Sequence, residues 1–504
     1  MAKFIKLEAE NLKELRKIDK RFMSYNIEMT EITGGTFWKA YTEAQISGRE
    51  EFPAPSDFSN FTAVKELMQY YPPIDLYSEK LRKLAREFGP CWIRVSGSWA
   101  TKTYYDFDGA AKGQVPSGYQ SVLTREQWIG VLDFVRAVDG KLLVSVSNCE
   151  GDHKNGGPLD LSQTKKLFDF SRDYGVNIDA AEFMNEPNML EFSGAPRGYT
   201  AADYARDQDI FNSWVRENYP ECLLVGPCTT GDMTVGVLGK NMTAGMGSLM
   251  KTCTTDELMK GTEVRLDVFS YHYYNGISER LAQIMPEAHW SADEAHTDEY
   301  LSVALQNAKG HAALRDKYVP GGQMWVTESG DAGGGGNTWA STYLDVLRTL
   351  TELGSFATVS DGVIFHNTLA SSDYGFLEHG SFNPRPNYYA ALLWTKLMGE
   401  TVYDCGNLND KNLQVFCHSR KDGKEGAVYL IINNSKTDIV SVNLPKEAEI
   451  YSLSGNGIIR NKTAYLNGSP LIAEENGSLP SIDGKHEKAG TIELEPCTCT
   501  FAVI

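Results

Sequence analysis

Between about residue 20 and residue 400, short apolar runs alternate eight times with stretches of helical period. That alternation constrains the fold more than any other feature. A strand, a helix and a further strand can pair only through a crossover, so the sheet they build is parallel. The runs are residues 22–30, 91–95, 141–147, 177–184, 222–226, 267–274, 324–328 and 362–368. Helical stretches follow them at 78–88, 124–138, 160–174, 201–218, 237–250, 294–316, 338–353 and 387–397. The strand runs are continuously apolar rather than alternating, as expected when both faces are covered. Eight units over roughly 380 residues predict an α/β fold, a (β/α)8 TIM barrel with insertions.

Beyond about residue 400 the texture changes. Short β-rich runs at 413–419, 427–433, 439–444, 450–453, 491–495 and 498–504 are separated by turn pairs such as Asn456-Gly457 and Asn467-Gly468. This predicts an appended C-terminal β-sandwich. The expected division is a barrel over 15–398 and a sandwich over 399–504, completed by an N-terminal strand from 1–14.

Composition removes several classes of function. The chain has 48 Lys and Arg against 66 Asp and Glu, a net charge of −18, which lacks the basic footprint of a nucleic-acid binder. No run of eighteen apolar residues predicts a membrane span. The N-terminal residues mix charged and apolar side chains without the continuous apolar core of a signal peptide, so a cytoplasmic location is expected. The nine cysteines are scattered with no zinc-site spacing, and read as reduced and mostly buried.

In such a barrel, polar residues at the C-terminal strand ends are the catalytic candidates. Two strand ends carry a carboxylate beside turn residues: Asn185-Glu186-Pro187 after the fourth strand and Thr327-Glu328-Ser329 after the seventh. They lie on nearly opposite sides of the ring and can converge across its centre. Two converging carboxylates are what cleavage of a glycosidic bond requires, one protonated and one ionised.

These motifs carry a resemblance. The chain resembles the heparanase and β-glucuronidase family, glycoside hydrolase family 79, of the retaining (β/α)8 clan. It does so over Trp92-Ile93-Arg94-Val95-Ser96-Gly97-Ser98, Asn185-Glu186-Pro187-Asn188 and Asp267-Val268-Phe269-Ser270-Tyr271-His272-Tyr273-Tyr274. It continues through Trp325-Val326-Thr327-Glu328-Ser329, the run Gly333-Gly334-Gly335-Gly336, Ser372-Asp373-Tyr374-Gly375 and Asn383-Pro384-Arg385-Pro386-Asn387-Tyr388-Tyr389. The resemblance implies Glu186 as general acid/base, Glu328 as nucleophile and Asn185 on the sugar 2-hydroxyl. It implies a uronic acid carboxylate met by the amides of Gly334 and Gly335 and by the Tyr374 hydroxyl, an arrangement that suits successive glycine amides. Glu28 stands where an acidic residue touches sugar hydroxyls, Ser98 where threonine is common, and His366 where glutamine is frequent. His272 and Tyr274 are placed to orient Glu328. Trp99, Tyr104 and Tyr105 are candidates to stack on a sugar face.

The resemblance implies no metal and no organic cofactor, and a carbohydrate with a terminal uronic acid as partner. The net charge and the isolated Lys102 and Arg197 favour an exo-β-glucuronidase. The alternatives are an endo-acting heparanase- or hyaluronidase-like enzyme on glycosaminoglycans, a β-xylosidase-like enzyme on a neutral sugar, and a non-catalytic sugar binder.

Overall fold

Strand alternation explains how an apolar run can also deliver charged groups to a barrel interior. In a computed structural model, which describes residues 3–52, 66–232, 235 and 252–504, Trp92 joins an apolar plug inside the barrel while Ile93 and Val95 pack outward under the helices. Arg94 and Ser96, at two-residue steps from Trp92, therefore rise through the interior above the plug. The same step takes Ala180 into the plug and Glu182 above it.

The barrel strands are β1 (Met23–Glu28), β2 (Trp92–Ser96), β3 (Lys141–Ser145), β4 (Ala180–Glu182), β5 (Leu223–Thr230), β6 (Val268–Ile277), β7 (Gln323–Gly333) and β8 (Ile364–His366). They close in chain order, every pair parallel. The helices that follow them are α1 (Glu79–Arg86), α2 (Arg125–Ala137), α3 (Ser162–Tyr174), α4 (Ala201–Asn218), α5 (Thr255–Met259), α6 (Asp298–Tyr318), α7 (Leu344–Val359) and α8 (Pro386–Leu397). Side-chain caps set several starts: Thr124 accepts from the Gln127 amide before α2, and Thr200 from the Asp203 amide before α4. The helix expected over 237–250 lies outside the described residues.

Two features differ from the sequence expectation and both serve the site. First, β7 slips register against β6, so that Tyr271 pairs with Val326 but His272 pairs with Glu328. Thr327 is the extra residue. The slip turns Glu328 to the same inward side as Trp325. Second, β6 and β7 run on together past the barrel rim, pairing Tyr274 with Gly330 and Ile277 with Gly333. This two-stranded extension holds the glycine run over the barrel mouth.

The C-terminal strands are β9 (Met398–Tyr403), β10 (Leu413–Arg420), β11 (Ala427–Asn433), β12 (Val440–Leu444), β13 (Ala448–Ser454), β14 (Gly490–Leu494) and β15 (Thr498–Val503). A nine-stranded sheet built on Glu14–Lys17, β9, β10, β11, β15 and β13 faces a three-stranded sheet of Lys3–Lys6, β12 and β14. Val415, Tyr429, Ile431, Val440 and Val442 share the core between them, while Phe416, Val428, Leu430 and Phe501 turn the other way into the barrel's core. The larger sheet is thus covered on both faces, which is why β11 reads as an unbroken apolar run. Among the described residues no helix is long and apolar enough to cross a membrane.

Candidate active site

Above the plug, Arg94 organises the barrel's polar interior. Its Nε donates to Glu182 Oε2, Nη1 to Glu328 Oε1 and Nη2 to Asn185 Oδ1, each at 2.9 Å. Nη2 also meets His272 Nε2 at 3.2 Å. An arginine can only donate, so Nε2 is the acceptor and the imidazole proton sits on Nδ1. Nδ1 donates that proton to Glu186 Oε1, 2.9 Å away. Glu328 Oε2 lies 3.5 Å from the same nitrogen and accepts from the Tyr274 hydroxyl at 2.8 Å.

Glu186 and Glu328 therefore converge as expected, with ligand oxygens within 4.8 Å of each other. Their environments differ. Burial raises the Glu186 carboxyl above its usual range, and the nearby Glu328 charge adds to this against the His272 hydrogen bond. Burial also acts on Glu328, but His272, Arg94 and the Tyr274 hydroxyl outweigh it and hold that carboxyl below its usual range. Glu186 is itself in the left-handed region at φ 45°, immediately before Pro187.

Asn185 keeps its carbonyl on Arg94 and Ser96 (3.1 Å), and its Nδ2 reaches Ser98 Oγ at 3.5 Å. Glu28 is buried and close enough to Glu328 to feel its charge. Its Oε1 accepts from Asn367 Nδ2 at 3.3 Å, and its Oε2 has no protein partner among the described residues. Burial, then the charges of Glu328 and Glu31, raise Glu28 well above the carboxylate range, and burial takes Glu31 to about 8. Asn367 is the hub here: the same Nδ2 lies 2.9 Å from the Tyr274 hydroxyl and 3.1 Å from that of Tyr374.

The glycine run sits beside Tyr374, since a Cβ on Gly336 would lie 3.0 Å from the Tyr374 amide. Gly334 and Gly335 have φ of 90° and 88°. The Gly333 carbonyl accepts from the Ser278 amide at 2.9 Å and the Gly334 carbonyl from Ser278 Oγ at 3.0 Å. Across a trans peptide the carbonyl and the following N–H point in opposite directions. The Gly334 and Gly335 amides therefore point together, away from Ser278, and neither donates a hydrogen bond among the described residues. Two adjacent free amides form an anion-binding nest.

Two expectations change. His366 does not reach for a ligand: its Nε2 hydrogen-bonds the Tyr374 carbonyl at 2.7 Å and its ring stacks on Phe376 at 3.8 Å. Burial drops this imidazole to about 3, so it is neutral and holds the Tyr374 backbone. Tyr105 is fully buried with its hydroxyl accepting from the Ser147 amide, which removes it as a stacking platform. Trp99 packs edge-on against Phe37 and Tyr104 against Tyr119. The sequence reading assigned no role to Arg94, Asn367, Glu31 or Arg280. A charged residue two steps after Trp92 in an otherwise apolar run was the available signal for Arg94.

Among the described residues two groups bring three metal-capable atoms within 4.8 Å: Glu182, Cys228 and His272, and Glu186, His272 and Glu328. Arg94 already contacts members of both, so a guanidinium fills the cationic role and a metal ion there would meet its repulsion.

No family model matches the chain. Heparanase-like protein 1 of Arabidopsis thaliana is 25% identical over 487 residues, covering 86% of this chain and 85% of that protein. Baicalin-β-D-glucuronidase of Scutellaria baicalensis is 27% identical over 468 residues, covering 86% and 83%. A 4-O-α-L-rhamnosyl-β-D-glucuronidase from Fusarium oxysporum superposes with a TM-score of 0.65 at 11% identity over 99% of this chain and all of that one, a likeness of fold.

Proposed function

We infer that this chain, a glycoside hydrolase like the heparanases and β-glucuronidases, is a retaining exo-β-glucuronidase. Glu328 is the nucleophile and Glu186 the acid/base. The observation that carries the reading is the pairing of Glu186 and Glu328 about His272 Nδ1, with one oxygen of each within 4.8 Å, on a barrel mouth that also presents the free amides of Gly334 and Gly335 and the Tyr374 hydroxyl. Retaining enzymes hold their carboxyls ~5–5.5 Å apart and inverting ones ~6.5–9.5 Å, to admit a water. The opposed shifts of Glu186 and Glu328 match the division of labour.

In the first step Glu186 gives its proton to the glycosidic oxygen while Glu328 attacks the anomeric carbon, forming a glycosyl ester and releasing the aglycone. In the second, Glu186 takes a proton from water, which attacks the same carbon and frees Glu328. As the ester forms, the negative charge of Glu328 is neutralised and Glu186 becomes the carboxylate, so Arg94 and Tyr274 ease their hold on the nucleophile's oxygens. Asn185 Nδ2 faces the 2-hydroxyl, where a contact tightens in the transition state.

The antiparallel ribbon of Gly35–Trp38 and Met68–Tyr71, after β1, backs the glycine turn. Trp38 backs Gly335, with its carbonyl held by the Tyr71 hydroxyl at 2.8 Å, and so walls the glycine turn. The test is a panel of p-nitrophenyl β-D-glucuronide, β-D-glucoside and β-D-xyloside. Release from the glucuronide alone is expected. Preferential release from either neutral glycoside, or none from the glucuronide, contradicts the assignment.

A further inference from the structure

We propose that Arg280 is a positioning residue that determines specificity for the acid, by aiming the Gly334 and Gly335 amides at a uronate carboxylate. The proposal rests on the glucuronidase reading. Arg280 leaves the end of β6 two residues after Ser278 and is 1% exposed. Its Nη1 donates to the carbonyls of Gly334 (3.2 Å) and Gly336 (2.9 Å). Its Nη2 donates to the Lys39 carbonyl and to Asp373 Oδ2, both at 2.6 Å. The guanidinium also lies 3.6 Å from the centre of the Tyr41 ring, whose hydroxyl donates to the Gly336 carbonyl at 2.9 Å.

One buried group thus ties together the loops that follow β1, β6, β7 and β8. The consequence for the nest is directional. Ser278 and Arg280 together fix the Gly333 and Gly334 carbonyls on one side, and trans geometry then fixes the following amides on the other. Asp373 links the clamp to the remaining ligand: its side chain takes Arg280, its amide donates to the Gly335 carbonyl at 3.1 Å, and the next residue is Tyr374. Four acceptors in different directions, with a ring stacked on the plane, match a guanidinium fork and not a lysine ammonium.

The test uses Arg280→Lys and the double variant Arg280→Met/Asp373→Asn, the second leaving no uncompensated buried carboxylate. It reads kcat and KM on p-nitrophenyl β-D-glucuronide, and the Ki of glucuronate and of uncharged glucuronamide. Thermal unfolding and near-ultraviolet circular dichroism check the fold. The expected result is a rise of about 10- to 100-fold in KM and in the glucuronate Ki, as for loss of well-aimed hydrogen bonds to a charge. The kcat stays within about threefold and the glucuronamide Ki is unmoved. Equal weakening of acid and amide, a fall in kcat at constant KM, or no change in either folded variant would overturn the proposal. A wild-type enzyme that cleaves the glucuronide but binds glucuronamide as tightly as glucuronate would overturn the nest with the glucuronidase reading intact. A wild-type enzyme that leaves the glucuronide uncut overturns the reading itself.

Discussion

The two central glutamates share one histidine and are separated by their other neighbours. Arg94 and Tyr274 contact Glu328, whereas Glu186 has the Nδ1 proton of His272 and little else. Removing either should therefore have a different signature. Glu328→Ala should lower kcat by at least ~10⁴-fold, and azide should restore part of it as a glycosyl azide. Glu186→Ala should slow poor leaving groups far more than p-nitrophenol. Wild-type rates for both variants on an alkyl glucuronide would contradict the roles. The pH profile of kcat/KM follows from the same contacts. The acid limb marks protonation of Glu328, held low, and the alkaline limb marks proton loss from Glu186, held high. Tyr274→Phe removes a donor to the ionised Glu328, so the acid limb should move to higher pH while the alkaline limb stays. Glu186 and Glu328 were legible because an acid beside turn residues at a strand end has few structural uses. The charge of Arg94 in an apolar strand was visible, but its role and that of Asn367 depend on which side chains the closed barrel brings above its plug.

At the scale of elements, the register slip at Thr327 and the overrun of β6 and β7 build the site. The sequence pattern marks both strands but ends them early, at residues 274 and 328, because Asn275-Gly276 and Ser329-Gly330-Asp331 read as turn signals. Pairing with each other overrode that local preference. The overrun ends in Gly334 and Gly335, whose φ near +90° disfavours any side chain. A Cβ on Gly335 would also lie 2.7 Å from the Trp38 side chain. Gly335→Ala should raise KM for the glucuronide by at least ~10-fold with a smaller change in kcat, measured by steady-state kinetics. An unchanged KM would remove the turn from substrate binding.

At the scale of the molecule, the larger C-terminal sheet is part of the barrel's support. α7 is buried along most of its length between β7 and that sheet, so closely that a Cβ on Gly354 would lie 2.4 Å from the Phe416 ring. Just before α7, the Tyr343 hydroxyl donates to the Leu453 carbonyl of β13 at 2.7 Å. Tyr343→Phe should destabilise the protein by ~1 kcal/mol, read as a lower urea midpoint, with kcat unchanged. An unmoved midpoint would mean that this junction contributes nothing. The barrel was legible from the eight-fold alternation, because a parallel closed sheet leaves a period in the chain. The way the second sheet covers α7 was not, because a strand buried on both faces shows no alternation to assign its sides.

The central claim is double displacement on a terminal β-glucuronide, and the stereochemistry of the first product tests it most directly. Proton NMR of p-nitrophenyl β-D-glucuronide during early turnover should show β-glucuronic acid first, with the α anomer growing in by mutarotation. The α anomer appearing first would make water the direct nucleophile and contradict the role given to Glu328.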